Sequence, residues 1–240
     1  MPSRYLCPII FILSLSFPLI AGAADNPFVK EIDLFERMEA ITMPPSNAAL
    51  FVGSSSIRLW RTMQRDLSPF PVVNRGFGGS TIADCTFFIP RIVTRYAPAV
   101  IFLYAGDNDI AAGNSPEQVL ADFRAFVAGC RKSQPAVSIR FISIKPSPAR
   151  WNLWEKTQKA NALVKQYTTG QKGLGYIDVA TPMLDQKGTV RGELFLSDRL
   201  HMNSEGYRIW TSIIKPIVEE SLRGLVAKPQ IPQVGGHGNK

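Results

Sequence analysis

The chain has 240 residues, 45% hydrophobic and 19% charged, with a formal net charge of +8. That length allows one full core or two smaller ones, and the apolar content is too high for a disordered chain. Its 18 Gly and 18 Pro are too few for collagen. No run reaches the ~18 apolar residues of a spanning helix, and the Lys and Arg residues are scattered, which argues against nucleic acid as a partner.

Residues 1–23 read as an export signal. Arg4 is a short positive start, Leu6 to Ile20 is mostly apolar with Pro8 and Pro18 inside it, and Ala21-Gly22-Ala23 offers small residues for cleavage after Ala23. The alternative is an uncleaved anchor, disfavoured by the short, Pro-broken run. The expectation is therefore a periplasmic or extracellular protein with no stable membrane insertion. Cys7 falls inside the signal and is not followed by a lipoprotein start. The remaining cysteines, Cys85 and Cys130, could pair in an oxidising compartment or simply fill core positions, and their spacing does not decide between the two.

Residues 24–227 form the expected domain. Five apolar runs predict buried strands: Ala49 to Val52, Pro71 to Asn74, Ala99 to Tyr104, Ser138 to Ile144 and Gly175 to Val179. They lack the alternation of a half-exposed sheet. Ser115-Pro116-Glu117-Gln118 opens a helix to about Arg131, with a Ser cap, Pro at the first helical position and Gln three residues after the cap. A second helix spans Trp154 to Tyr167 and stops near Gly170. A third starts at Asn203 or Ser204 and ends before Gly224, with Pro216 expected to bend it. This alternation predicts a parallel sheet with helices on both faces. Residues 228–240, rich in Pro, Gly and amides, read as a flexible tail containing His237.

In such a sheet a ligand sits outside the carboxyl ends of the strands. Four segments fall there: Gly53-Ser54-Ser55-Ser56, Asn74-Arg75-Gly76-Phe77-Gly78-Gly79-Ser80-Thr81, Gly106-Asp107-Asn108-Asp109 and Asp198-Arg199-Leu200-His201. Each alone has an ordinary reading as a cap or a turn. Competing motifs fail. The glycine loop is not G-x-G-x-x-G and no P-loop Lys follows it. G-x-S-x-G is absent, and one His in the body of the chain with two distant cysteines makes a poor metal set.

Taken in order, the four segments resemble the SGNH, or GDSL-type, hydrolase superfamily of esterases and lipases, over roughly Ala49 to Trp210. The resemblance implies a flavodoxin-like three-layer α/β/α sandwich of about five parallel strands, with no metal or cofactor. It implies Ser55 as nucleophile, Asp198 and His201 as its partners, and an oxyanion hole from Ser55, Gly79 and Asn108. One departure is that Ser54 stands where the family usually has Asp.

Elementary chemistry fits those roles. A Ser hydroxyl needs a base to take its proton during attack, and His201 is the only His outside the tail. A carboxylate three positions earlier can hold its tautomer. Backbone N–H groups of Ser55 and Gly79, with the Asn108 amide, could meet the charge that develops on the carbonyl oxygen. Asp107 and Asp109 are expected to hold their turn rather than react. By the same strand-end argument the segment Lys145 to Trp151 should border the crevice, with Arg150 and Trp151 as possible substrate contacts. The alternative is that Trp151 packs in the core and Arg150 is solvated. The expected activity is hydrolysis of carboxylic esters, short-acyl or O-acetyl, on a small molecule or carbohydrate. A non-catalytic envelope carbohydrate-binding protein and an acyltransferase on the same site are the alternatives.

Overall fold

The computed structural model describes residues 26–226. The export signal with Cys7, and the 228–240 tail with His237, lie outside the described residues.

Helix α1 (Val29–Ile41) leads into strand β1 (Ala49–Gly53), followed by two short helices, α2 (Ser55–Arg58) and α3 (Met63–Asp66). After β2 (Val72–Gly76) come α4 (Ile82–Phe87) and α5 (Ile89–Ile92); after β3 (Val100–Tyr104) come α6 (Asp107–Ala111) and α7 (Pro116–Ser133). Then follow β4 (Ser138–Ile142), α8 (Trp154–Thr168), β5 (Leu174–Ile177) and the long α9 (Ser204–Val226). The five strands form one sheet in the order β2-β1-β3-β4-β5, every pair parallel. Each predicted strand is present, its ends moved by no more than two residues. This is the flavodoxin-like order, whose direction reverses between β1 and β3, and that reversal opens a crevice at the strands' carboxyl ends.

Successive strand residues point to opposite faces, and both faces are covered. On one, Leu50, Val52, Ile101, Leu103, Ile139 and Phe141 pack with Ile82 of α4, Phe88 at the junction of α4 and α5, Phe123 and Phe126 of α7 and Val164 of α8. On the other, Phe51, Phe102, Tyr104 and Ile177 pack with Trp60, Trp210, Ile214, Val218 and Leu222, the last four from α9. Burial on both sides explains why the strands read as continuous apolar runs. Among the described residues no helix is long and apolar enough to cross a membrane.

The helix signals act as their chemistry dictates. Ser115 Oγ accepts the Gln118 N–H at 3.1 Å, and α8 ends just before Gly170, whose φ is +76°. Helix α9 corrects the expected end before Gly224: it runs through Pro216 and on to Val226. The apolar face of Ile214, Val218 and Leu222 buried on the sheet offsets the hydrogen bond that Pro216 removes. Helix α1 was not anticipated. It has no side-chain cap and buries little besides Ile32 and Glu39, and it is held by Arg75, which is ion-paired to Glu39 at 2.7 Å and donates to the Tyr96 hydroxyl at 2.6 Å. Cys85 and Cys130 are both buried and unpaired, and burial pushes both thiols up from their ordinary pKa.

Candidate active site

Gly53 ends β1 with φ of +147°, and a Cβ there would sit 1.9 Å from the Tyr104 carbonyl oxygen. Only glycine lets β1 pass β3 so closely and turn at once into α2. Ser54, buried, donates its N–H to the Tyr104 carbonyl at 3.0 Å. Ser55 is then the first residue of α2, with its hydroxyl at the carboxyl end of the sheet. Two long-range bonds hold this turn: Asn74 Nδ2 donates to the Ile57 carbonyl at 2.7 Å, and the Tyr207 hydroxyl to the Ser56 carbonyl at 3.0 Å.

The loop ahead of α9 folds back on itself. Phe195 pairs with Met202, and Leu196 N–H donates to the His201 carbonyl at 2.8 Å. At its tip Arg199 has φ of +59°, a left-handed conformation uncommon outside glycine. That bend lets Asp198 Oδ1 accept the backbone N–H groups of Leu200 and His201, each at 2.9 Å, while Oδ2 lies 2.6 Å from His201 Nδ1. These bonds, the His201 ring first, pull the Asp198 pKa down to about 2. The carboxylate therefore favours a proton on Nδ1 and leaves the Nε2 lone pair free. Nε2 is 3.0 Å from Ser55 Oγ.

The second and third strand-end segments bond to each other. Gly79 has φ of +80°, and a Cβ there would meet nothing within 4 Å. No backbone carbonyl among the described residues accepts the N–H of Ser55 or Gly79. Asn108 Nδ2 donates to the Ser80 carbonyl at 3.0 Å, and Asp109 Oδ1 accepts the Ile82 N–H at 3.0 Å. These two residues fasten the Gly79 loop to the end of β3. Asp109 is fully buried, and that burial raises its pKa to about 6. Arg75, from the glycine-rich segment, turns away toward Glu39 and takes no part.

The segment after β4 lies against both loops. Arg150 pairs with Asp107 at 2.8 Å and donates to Asn108 Oδ1 at 3.1 Å, so its partly exposed guanidinium is held by two partners. Trp151 is half-buried and stacks on Trp154, with ring centroids 6.0 Å apart. Lys145 was missed by the sequence reading as a contributor. It is buried, donates to the Leu200 carbonyl at 2.8 Å, and desolvation lowers its pKa. The only local signal was a lysine directly after the apolar run Phe141 to Ile144. Asn74 and Tyr207 gave no signal of their own. Among the described residues no group of three His, Cys, Asp or Glu side chains is placed to hold a metal ion. A cavity of about 500 Å³ between the turn after α2 and the start of α9 is lined by neither Ser55 nor His201.

Ser, His and Asp side chains in hydrogen-bonded sequence beside unpaired N–H groups are the equipment of acyl transfer. Comparison with known proteins agrees. No curated protein matches the sequence. Among solved structures the chain is similar to a GDSL-like lipase from Bacteroides thetaiotaomicron, at 19% identity and a TM-score of 0.68, over 80% of this chain and 98% of the other. It is also similar to an acetylxylan esterase from Geobacillus stearothermophilus, at 16% identity and a TM-score of 0.60, over 72% and 95% of the two chains. A carbohydrate esterase family 3 protein from Talaromyces cellulolyticus is similar at 16% identity and a TM-score of 0.57, over 74% and 98%. The GDSL-like lipase/acylhydrolase family model matches residues 50–209. That span takes in the segments carrying Ser55, Gly79, Asn108, Asp198 and His201, and the chain belongs to this family of ester hydrolases.

Proposed function

We propose that this esterase is exported and removes short acyl groups, acetyl above all, from carbohydrate esters, with Ser55 as nucleophile, His201 as base and Asp198 as the group that orients it. The observation that carries the reading is the continuous chain Asp198 Oδ2–His201 Nδ1 at 2.6 Å and His201 Nε2–Ser55 Oγ at 3.0 Å. In the proposed cycle Nε2 takes the hydroxyl proton as Oγ attacks the ester carbonyl, and the tetrahedral oxyanion is met by the N–H groups of Ser55 and Gly79 and by the Asn108 amide. The imidazolium then gives its proton to the departing alcohol, leaving acyl-Ser55. Water attacks that ester by the same route in reverse, with His201 again the base.

Support for an acetyl group comes from one structural neighbour, an acetylxylan esterase, and support for a carbohydrate ester from that protein and from a carbohydrate esterase. Support for export is the apolar segment Leu6 to Ile20 with Ala21-Gly22-Ala23 after it. The unbroken Ser55–His201–Asp198 chain weighs against a purely binding role. The test is labelling with a fluorophosphonate probe, together with hydrolysis of acetylated xylo-oligosaccharide and of p-nitrophenyl esters of increasing acyl length. Labelling lost in Ser55→Ala and turnover highest on acetyl esters are expected. An unlabelled wild-type protein, or a preference for long acyl chains, would overturn the assignment.

A further inference from the structure

Beneath the Asn108 loop runs a chain of alternating charge. Lys145 Nζ is 3.9 Å from Asp107 Oδ2, and Arg150 Nη1 is 2.8 Å from Asp107 Oδ1. The other terminal nitrogen of Arg150 donates to Asn108 Oδ1 at 3.1 Å, while Asn108 Nδ2 uses one hydrogen on the Ser80 carbonyl at 3.0 Å. Both ends of the amide are therefore anchored, and one N–H remains. A flipped amide would set its NH₂ against the guanidinium, which offers only donors. The cation at Oδ1 also draws electron density toward the oxygen and strengthens the remaining N–H as a donor. Asp107 balances the charge, so the loop gains this polarisation without a bare buried cation.

The same stretch of chain is tied to the base. Asn161 Oδ1 accepts the Ile144 N–H and its Nδ2 donates to the Ile144 carbonyl, each at 2.9 Å, which fixes the stretch to α8. Ala149 N–H donates to the Arg199 carbonyl at 3.0 Å and Lys145 Nζ to the Leu200 carbonyl at 2.8 Å, both within the loop that presents His201. One rigid segment thus grips the candidate base loop with its backbone and Lys145, and the candidate oxyanion donor with Arg150.

We infer that Arg150 is a positioning residue for the esterase reaction: paired with Asp107, it orients and polarises the Asn108 amide toward the developing oxyanion, and it is not a substrate-binding cation. This rests on the proposed reading of Ser55 as nucleophile and Asn108 as oxyanion donor. A residue that acts through Asn108 has nothing to act on once that amide is gone, and this gives a sharp test.

The experiment is a double-mutant cycle on Arg150→Met and Asn108→Ala, read as kcat and KM on p-nitrophenyl acetate and on an acetylated xylo-oligosaccharide. Arg150→Met alone is expected to lower kcat by roughly 10- to 100-fold, equally on both esters and with KM within about twofold, because only the charged transition state uses the amide fully. In the Asn108→Ala background the same change is expected to cost under about threefold. Arg150→Lys keeps a cation for Asp107 but not the planar fork that reaches two partners. It should fall between wild type and Arg150→Met, and it carries the cycle if the Met variant does not fold. Losses that multiply independently in the double variant would overturn the inference, as would a higher KM confined to the oligosaccharide. Fluorophosphonate labelling of the wild type separates the two levels: an unlabelled protein sinks the esterase reading and this inference together, whereas a labelled, active protein with independent losses sinks this inference alone.

Discussion

His201 Nε2 stands 3.0 Å from the Ser55 hydroxyl although 146 positions separate them in the chain. Near neighbours and long-range bonds together bring each residue there. Ser55 is set by Gly53 and by the bonds of Asn74 and Tyr207 to its turn, and His201 by the left-handed Arg199 and the Lys145 bond to Leu200.

Replacing Ser55 or His201 with Ala is expected to abolish ester hydrolysis and leave the melting temperature nearly unchanged, because both sit at the rim of the sheet rather than in its core. Ser54→Ala should retain most turnover, since the Ser54 side chain makes no capping bond to α2. Full activity in Ser55→Ala together with loss in Ser54→Ala would move the nucleophile by one residue.

Asn108→Ala should leave a slow enzyme, with kcat reduced by roughly 10²–10³, the usual effect of removing one oxyanion donor. Initial rates on p-nitrophenyl acetate check this, and an effect confined to KM would reassign the amide to substrate binding.

Asp198, held at about pKa 2, stays ionised throughout any ordinary assay. A depressed carboxylate contributes stability that is present above its unfolded value and fades as the pH falls through about 2. With Asp198 half exposed, that contribution is small. Asp198→Asn should cost activity by losing the His201 tautomer, and dialysis against a chelator should cost none. Activity lost to the chelator and restored by a divalent ion would contradict this chemistry.

Asp109 carries the opposite sign. Its native pKa of about 6 lies above the unfolded value, so the native state holds an extra proton in between. The stability this provides is full below about pH 4 and is lost as the pH rises through 6. Asp109→Asn keeps an oxygen for the Ile82 N–H and removes the charge, so the dependence of melting temperature on pH between 4 and 7 should flatten by roughly 5 °C relative to wild type. Parallel melting curves for the two proteins across that range would show that Asp109 is not the buried acid described.

Gly53→Ala should abolish folding or cost more than about 4 kcal/mol, since its methyl group would collide with the Tyr104 carbonyl, which is backbone and cannot step aside. Gly79→Ala meets open space and should cost only about 1–2 kcal/mol, the penalty of a left-handed backbone for a residue with a Cβ. Chemical denaturation compares the two directly.

Much of this was legible in the residues alone. The strands announced themselves because burial on both faces favours apolar runs such as Ala49 to Val52 and Val100 to Tyr104, and α7 because the Ser115 hydroxyl accepts one free N–H and Pro116 removes another. His201 stood out as the only His outside the tail, whereas Ser55 was separated from its neighbours Ser54 and Ser56 only by the resemblance to the SGNH hydrolases. The sequence could not assign what Arg150 touches, why Lys145 is buried, or that Asn74 and Tyr207 steady the Ser55 turn. Nor did it show that α1 forms, or that α9 continues past Gly224. The division follows from range. Strand and helix formation answer to neighbours within a few residues, whereas the Arg150–Asn108, Lys145–Leu200 and His201–Ser55 contacts join positions 42, 55 and 146 apart. Those distances close only when the sheet takes the order β2-β1-β3-β4-β5 and gathers its carboxyl ends at one crevice.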